Sequence, residues 1–278
     1  LEARLLGTLY VVGTPIGNLE DISLRALRTL AQVDLIAAED TRKTGRLLAH
    51  HGIDTPLTSY WEHNKLSKLD YILDVLRERD VALVSNAGMP GISDPGYELI
   101  RAAIEDGIGV VAVPGASAIV AALVVSGLPT DGFLYLGFLP RKRGKRVSLL
   151  ASVAGERRTL VAFEAPHRLL SALEDVRESL GERRLAVTRE LTKLHEEVVR
   201  GSTSEVLDHF RGNPPRGEVT LVIGGAEEAR WDRDEVEKAL QKLRRGGISP
   251  TEAVREIARS SQLPRAEVYR IWVSMEEQ

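Results

Sequence analysis

Asn86-Ala87-Gly88-Met89-Pro90-Gly91-Ile92-Ser93-Asp94-Pro95-Gly96 follows the apolar run Ala82–Ser85 and precedes an amphipathic stretch from Gly96 to Glu105. A buried strand that ends in a loop with three glycines and two prolines, and then enters a helix, is one half of an α/β unit. Glycine leaves backbone bare for close approach, and proline limits how far such a loop can move. Long ordered loops in compact domains are usually functional, so this one is expected to touch a ligand.

The same alternation extends on both sides. Strands are expected at Leu9–Val12, Leu35–Ala38, Leu57–Tyr60, Ala82–Ser85 and Val110–Val113, with helices near Ser23–Ala31, Arg42–His51, Ser67–Arg79 and Gly96–Glu105. This is the pattern of a mainly parallel sheet covered by helices. Each strand leads into an unusual loop: Gly13 to Asn18, Glu39-Asp40-Thr41-Arg42, Trp61 to Asn64, the loop quoted above, and Pro114-Gly115-Ala116-Ser117-Ala118. Ligands bind at the carboxyl ends of strands in open α/β sheets, so the loops read as one site. Gly13 and Gly17 are spaced G-x-x-x-G, which lacks the dinucleotide fingerprint and makes a nicotinamide enzyme a weak alternative.

The first domain is expected to span 1–125. Val124 to Gly132 reads as a crossing, and a second domain over 126–225 follows, with strands at Phe133–Phe138, Leu160–Phe163, Leu185–Thr188, Val198–Arg200 and Val219–Ile223. Helices are expected near Val147–Val153, Arg168–Leu180 and Ser204–Phe210. The later strands lack long crossovers, so some pairing should be antiparallel and the sheet mixed. A helical region over 231–278 completes the chain. Its helices are expected at Asp234–Arg244, from the Ser249/Glu252 capping box to Arg259, and from Leu263 to Met275. The last two, joined through Ser260-Ser261-Gln262-Leu263, fit either a helix-turn-helix or a bundle used only for packing.

The chain has no cysteine, which excludes disulfides, thiolate nucleophiles, thiolate-held iron-sulfur clusters and covalent cysteine adducts to pyrimidine carbons. The six histidines lack the spacing of a helical zinc site, so no metal is expected. The segment from Leu1 lacks the basic region and cleavage site of a secretory signal, and no apolar run reaches a membrane span; a cytoplasmic protein is expected. Leu1 in place of Met reads as a processed or reassigned start. The formal charge of −3 means that a polyanion must be held by local patches. Two are present: Arg42, Lys43 and Arg46, and Arg141, Lys142, Arg143, Lys145 and Arg146. Either is an RNA contact or a solvated surface.

Taken in order, the five loops Gly13–Asn18, Glu39–Arg42, Ala87–Gly96, Pro114–Ala118 and Phe163–Arg168 resemble those of the small-subunit ribosomal RNA methyltransferases of the tetrapyrrole methylase superfamily. The similarity runs from about Thr8 to Gly225, and the helical tail resembles that family's C-terminal helix-turn-helix. The resemblance implies two α/β domains with S-adenosyl-L-methionine in the cleft between them. It implies 2′-O-methylation of a cytidine in the decoding region of 16S rRNA, carried out by a homodimer. By motif, Pro15, Ala87, Gly88, Met89, Ile92, Ser117, Ala118, Glu164 and Leu191 would hold the cofactor. Three positions depart from the family pattern: Asn86 replaces an aspartate, Met89 a threonine and Trp61 a histidine. Chemical roles for those residues are thereby removed from this chain.

Methyl transfer to a hydroxyl needs positioning and a proton acceptor. Asp40, Glu164 and His167 are candidates. Each has a structural alternative: Asp40 and His167 are equally placed to cap the helices that follow, and Glu164 to hold the cofactor. A small-molecule methylase of the same superfamily, and a non-catalytic RNA-binding or ribosome-assembly protein, are the competing functional classes.

Overall fold

The computed structural model describes residues 6–226, 231–261 and 263–275. The chain divides into two compact units, Leu1–Ala226 and Glu227–Gln278. In the first unit, Val/Ile/Leu-rich runs form β1 (Thr8–Val12), β2 (Leu35–Ala38), β3 (Leu57–Ser59), β4 (Val81–Val84) and β5 (Gly109–Val113). They lie in the order β3-β2-β4-β1-β5, and every neighbouring pair is parallel. Each residue of β2 and β4 is buried, as central strands covered on both faces must be. The covering helices are α1 (Leu24–Gln32), α2 (Thr41–His50), α3 (Lys65–Leu76) and α4 (Tyr97–Glu105).

One helix has no counterpart in the sequence reading, which runs Val124 into the crossing. Ser117 caps α5 (Ala118–Ser126), and Gly127 ends it at φ 75°. Its sequence Ala-Ile-Val-Ala-Ala-Leu-Val-Val-Ser is apolar all round, so no amphipathic period marks it. Although it follows the first sheet, α5 packs against the second: Ile119, Ala122 and Leu123 share a core cluster with Val161, Ala186 and Val222.

That second sheet contains β6 (Phe133–Phe138), β7 (Thr159–Glu164), β8 (Arg184–Arg189), β9 (Glu197–Ser202) and β10 (Val219–Ile223), in the order β6-β7-β10-β8-β9. It is mixed: β6 and β7 are parallel, and the other pairs are antiparallel. Helices α6 (Arg143–Ser152), α7 (Leu169–Leu180) and α8 (Thr203–Gly212) cover it. Leu150, Leu173, Phe210 and Leu221 lie in their shared core. Whereas the apolar period alone suggests a start at Val147, α6 begins at Arg143 and carries part of the basic run on its first turn.

The second unit contains α9 (Arg233–Arg245), α10 (Pro250–Ser261) and α11 (Arg265–Ser274) around Val236, Leu240, Ile257, Val268 and Trp272. Asp232 and Glu235 form a capping box on α9. The Ser249 hydroxyl accepts from the Glu252 amide at 3.4 Å and donates to the Glu252 carboxylate at 2.7 Å. Gln262, within the expected turn, lies outside the described residues.

Candidate active site

Because the first sheet is parallel, the ends of β1, β4 and β5 share one edge. The Gly13 amide donates to the Val113 carbonyl at 3.0 Å, and Thr14 and Gly88 exchange backbone hydrogen bonds of 2.9 and 3.0 Å. The first loop is thus stitched to both neighbouring loops. Gly13 and Gly115 pass backbone against backbone: a Cβ at Gly13 would lie 2.7 Å from Gly115 Cα. Gly88 needs glycine for a different reason, φ +76°, since a Cβ there would find nothing closer than 3.5 Å.

The loop reading missed a carboxyl pair at this edge. Glu39, at the end of β2, accepts from the Asn86 amide at 2.9 Å. Asp94 faces Glu39 and the buried Ser85 hydroxyl, which itself donates to the Ala87 carbonyl at 3.2 Å. Burial, and then the Glu39 charge, push Asp94 up to about 6. Neighbouring Ser93 adopts φ 61° and bonds to the Tyr135 hydroxyl at 2.7 Å, so this loop reaches from the first sheet to β6 of the second. Asp94 sits inside the quoted loop, but only the fold reveals the approach of Glu39 from another strand.

The second sheet contributes the opposite edge. Register places Glu164 and Arg189 on either side of Val219, and Leu191 and Thr192 follow directly. Leu191 joins Ile16 in the cluster that unites the sheets, with Ala87 and Ala118 packed against it. Three expected cofactor residues are therefore brought together. Gly17 lies against Leu191, Thr192 and Lys193, so the first loop also touches this edge. Pro15 and Gly88 are buried, Met89 and Ser117 are partly buried, and Ile92 is half exposed. Met89 places its sulfur against Gly13. Trp61 is exposed and meets His63 edge to face.

Glu164 is buried, pairs with Arg168 and accepts from the Ala165 amide at 2.6 Å. Its burial raises the carboxyl above the usual range, against the opposing pull of Ala165 and Arg168. Its Oε2 has no partner. Asp40 caps α2 by accepting from the amides of Arg42 (2.9 Å) and Lys43 (3.4 Å), and its carboxylate also takes the Arg42 guanidinium. Those bonds, led by the Arg42 side chain, hold Asp40 down at about 2, which makes it a weak base. His167 is exposed on a 3-10 turn, Pro166–Arg168, and α7 begins without a side-chain cap.

The two basic runs differ. Lys43 and Arg46 line a cavity of about 170 Å³ with Thr14, Pro15, Ser85 and Asn86, which joins the α2 patch to the loops above. In the other run Arg146 is buried, with Nε 2.7 Å from Asp175, and Arg143 holds Asp175 at 2.9 Å and also pairs with Glu178. The expectation of RNA contact at Arg146 is corrected by this burial, because a charge neutralised inside the core is unavailable to phosphate. Arg143 is exposed but committed to two carboxylates, while Arg141, Lys142 and Lys145 stay exposed.

Buried oxygens without a partner are uncommon in native proteins and point to a missing ligand. Glu164 Oε2, Asn86 Oδ1 and Thr192 Oγ1 are three such atoms along these loops, and each can accept from an amine or a hydroxyl. This set of acceptors fits the amines and hydroxyls of an adenosyl amino acid. No cluster of His, Asp or Glu side chains suited to a metal occurs among the described residues.

The fold and the paired edges define a two-sheet α/β protein with a ligand site at its strand ends, and the comparisons identify its class. Residues 8–207 match the family model of tetrapyrrole (corrin/porphyrin) methylases. Uroporphyrin-III-C-methyltransferase from Thermus thermophilus superposes with a TM-score of 0.55 at 23% identity, over 78% of this chain and 94% of that one. A cobalt precorrin-4 methyltransferase superposes with a TM-score of 0.56 at 18% identity, over 78% and 94% of the two chains. At those identities the likeness concerns the fold. Ribosomal RNA small subunit methyltransferase I of Synechocystis sp. is 46% identical over 98% of this chain and 99% of its own. Its namesake in Thermotoga maritima is 51% identical over 80% of this chain and all of its own. The chain belongs to the tetrapyrrole methylases and, within them, to the family of ribosomal RNA small subunit methyltransferase I. It is a methyltransferase whose methyl donor is S-adenosyl-L-methionine.

Proposed function

We propose that this methyltransferase acts on small-subunit ribosomal RNA and places the methyl group on the ribose 2′-oxygen of a cytidine in the decoding region. The observation that carries the reading is the cavity between α2 and the first loop. Lys43 and Arg46 give it a positive lining, and Ser85 at its wall lies beside Asp94 of the carboxyl pair. Phosphates flanking a nucleotide suit the cations, and a hydroxyl proton suits a carboxylate whose affinity lies near neutral pH. Asp94 is thereby the proton acceptor, in preference to Asp40. The named relatives support ribosomal RNA as the substrate class.

When bound, S-adenosyl-L-methionine supplies a methyl group already activated on a sulfonium. Glu164, Asn86, Thr192 and the backbone of Ala87, Gly88 and Ala118 hold it in this reading, with Pro15, Met89, Ile92, Ser117 and Leu191 packing around it. Glu39 keeps Asp94 from ionising early. Arg141, Lys142 and Lys145 widen the RNA footprint. The protein works as a homodimer in the cytoplasm: α5 is apolar all round yet leaves Val120 and Val124, one turn apart, 55% and 73% exposed, as an interface between copies would require. No described helix is long and apolar enough to cross a membrane.

Transfer of a labelled methyl to 16S rRNA, followed by cleavage of base from sugar, tests the chemistry. Label that stays with the sugar is expected. Label that leaves with the base would overturn the ribose assignment.

A further inference from the structure

The helical unit carries a group of cations that no carboxylate among the described residues pairs with. The start of α9 carries Asp232, Asp234, Glu235 and Glu237, whereas Lys242, Arg244 and Arg245 end that helix and Arg255, Arg259 and Arg265 follow on α10 and α11. Those six cations are exposed, and among the described residues none lies within ion-pair distance of a carboxylate. At the end of α9 the cations complement the helix dipole, which explains them without a ligand. Arg259, in the last turn of α10, shares that explanation, but Arg255 and Arg265 do not. Arg265 lies in the first turn of α11, where the dipole opposes a cation, and Arg255 and Arg259 are four residues apart on one face of α10, where like charges repel.

All three line a single groove of about 790 Å³ that also exposes Ile248, Ala258 and Leu263. Glu252 and Glu256 line it too, and Ser249 engages Glu252. Guanidiniums beside an apolar surface match a nucleotide, with phosphate on the cations and a base face on the aliphatic side chains. A further observation concerns what the unit is for. The Thermotoga maritima relative is matched over its whole length by 223 residues, a span as long as the Leu1–Ala226 unit. A family member of that length has no room for a second such unit, so methyl transfer itself does not call for one.

We propose that this groove grips a single-stranded segment of the substrate RNA, with Arg255, Arg259 and Arg265 on its phosphates. The proposal rests on the reading that the substrate is ribosomal RNA. Its test uses the full chain and a labelled oligouridylate, with affinity measured across a range of salt concentrations. Replacing Arg255, Arg259 and Arg265 together with alanine should weaken binding at least tenfold and flatten the slope of log affinity against log salt by about 2, at roughly 0.7 per contact. Glu256→Lys, also exposed, should tighten binding and steepen the slope by about 0.7, a gain that misfolding cannot mimic. Calorimetric uptake of S-adenosyl-L-methionine should be unchanged in both variants. Parent-like affinity and slope in both variants, with a parent that binds RNA, would overturn the groove alone. A parent that fails to bind any RNA would overturn the groove and the substrate reading together.

Discussion

Each lobe of the two-sheet unit shields an aspartate from solvent, Asp175 fully and Asp94 in part, and their surroundings act on the charge in opposite ways. Asp175 on α7 faces the Arg143 and Arg146 guanidiniums, both within 3 Å. Asp94 faces Glu39, another acid, with only the nearby Ser85 hydroxyl to offset it. A carboxylate between two cations is fixed in one charge state and serves the fold. One that is pushed up to about 6 by burial and a like charge can accept a proton under working conditions, and perturbed groups of this kind cluster at functional sites.

The largest effect should come from dismantling the structural pair. Arg146→Ala leaves Asp175 charged and buried with one exposed partner, and should cost about 3–5 kcal/mol in urea unfolding. A loss below about 1 kcal/mol would mean that Asp175 can be solvated where it lies, and the contrast with Asp94 would disappear.

Asp94→Asn should behave in the opposite sense. The folded pKa of Asp94 lies above its unfolded value, so its contribution to stability is present at low pH and lost as pH rises. Parent stability should fall between about pH 4 and pH 6, by at most about 3 kcal/mol because partial exposure screens the charge, and the variant should lack that fall. Methyl transfer by the variant should drop by about 10²–10⁴-fold at neutral pH. Glu39 and the Tyr135 hydroxyl also face Asp94, so the same pH series on Glu39→Gln should show a smaller fall. Full activity in Asp94→Asn would return the search for a base to Glu164 and His167.

The basic runs extend the contrast at lower energy. Lys43→Ala combined with Arg46→Ala should leave stability within about 0.5 kcal/mol, since both side chains are exposed. The salt slope of RNA binding should flatten by about 1.4 for two lost contacts. The smallest effect belongs to Arg143→Ala. With Arg146 still in place, the exposed guanidinium should account for less than about 1 kcal/mol, and a larger loss would show that Asp175 needs both cations.

These contrasts mark where the sequence could be read and where it could not. Strands β1 to β5 were legible because each is a short apolar run followed by a glycine- or proline-bearing loop, and their parallel order on one edge follows from that repetition. The mixed second sheet was legible from the short connections around β8 and β9. What escaped depends on partners distant in sequence. Arg146 stands in a basic run whose sequence suggests a solvated face, and Asp175, 29 residues away, takes it into the core with help from the Pro140 carbonyl and Ser171. Asp94 was read as part of a loop because Glu39 lies on another strand. Gly88 requires glycine for its φ of +76° whatever approaches it, while the bare backbone-to-backbone contact belongs to Gly13 and Gly115. Helix α5 has no polar side, so a search for a polar and an apolar face passes over it.

That helix also bears on how the chain acquires its structure. Ribosomal synthesis delivers α5 directly after β5, but the surface it needs, on Val161, Ala186 and Val222, is made of strands that emerge later. Until β10 is in place, nine consecutive residues with almost no polar side chain have nowhere to dock, and the half-made protein exposes a sticky segment. The lobes are therefore obliged to ripen together, and the nascent chain is most exposed to aggregation between the synthesis of Ser126 and that of Ile223.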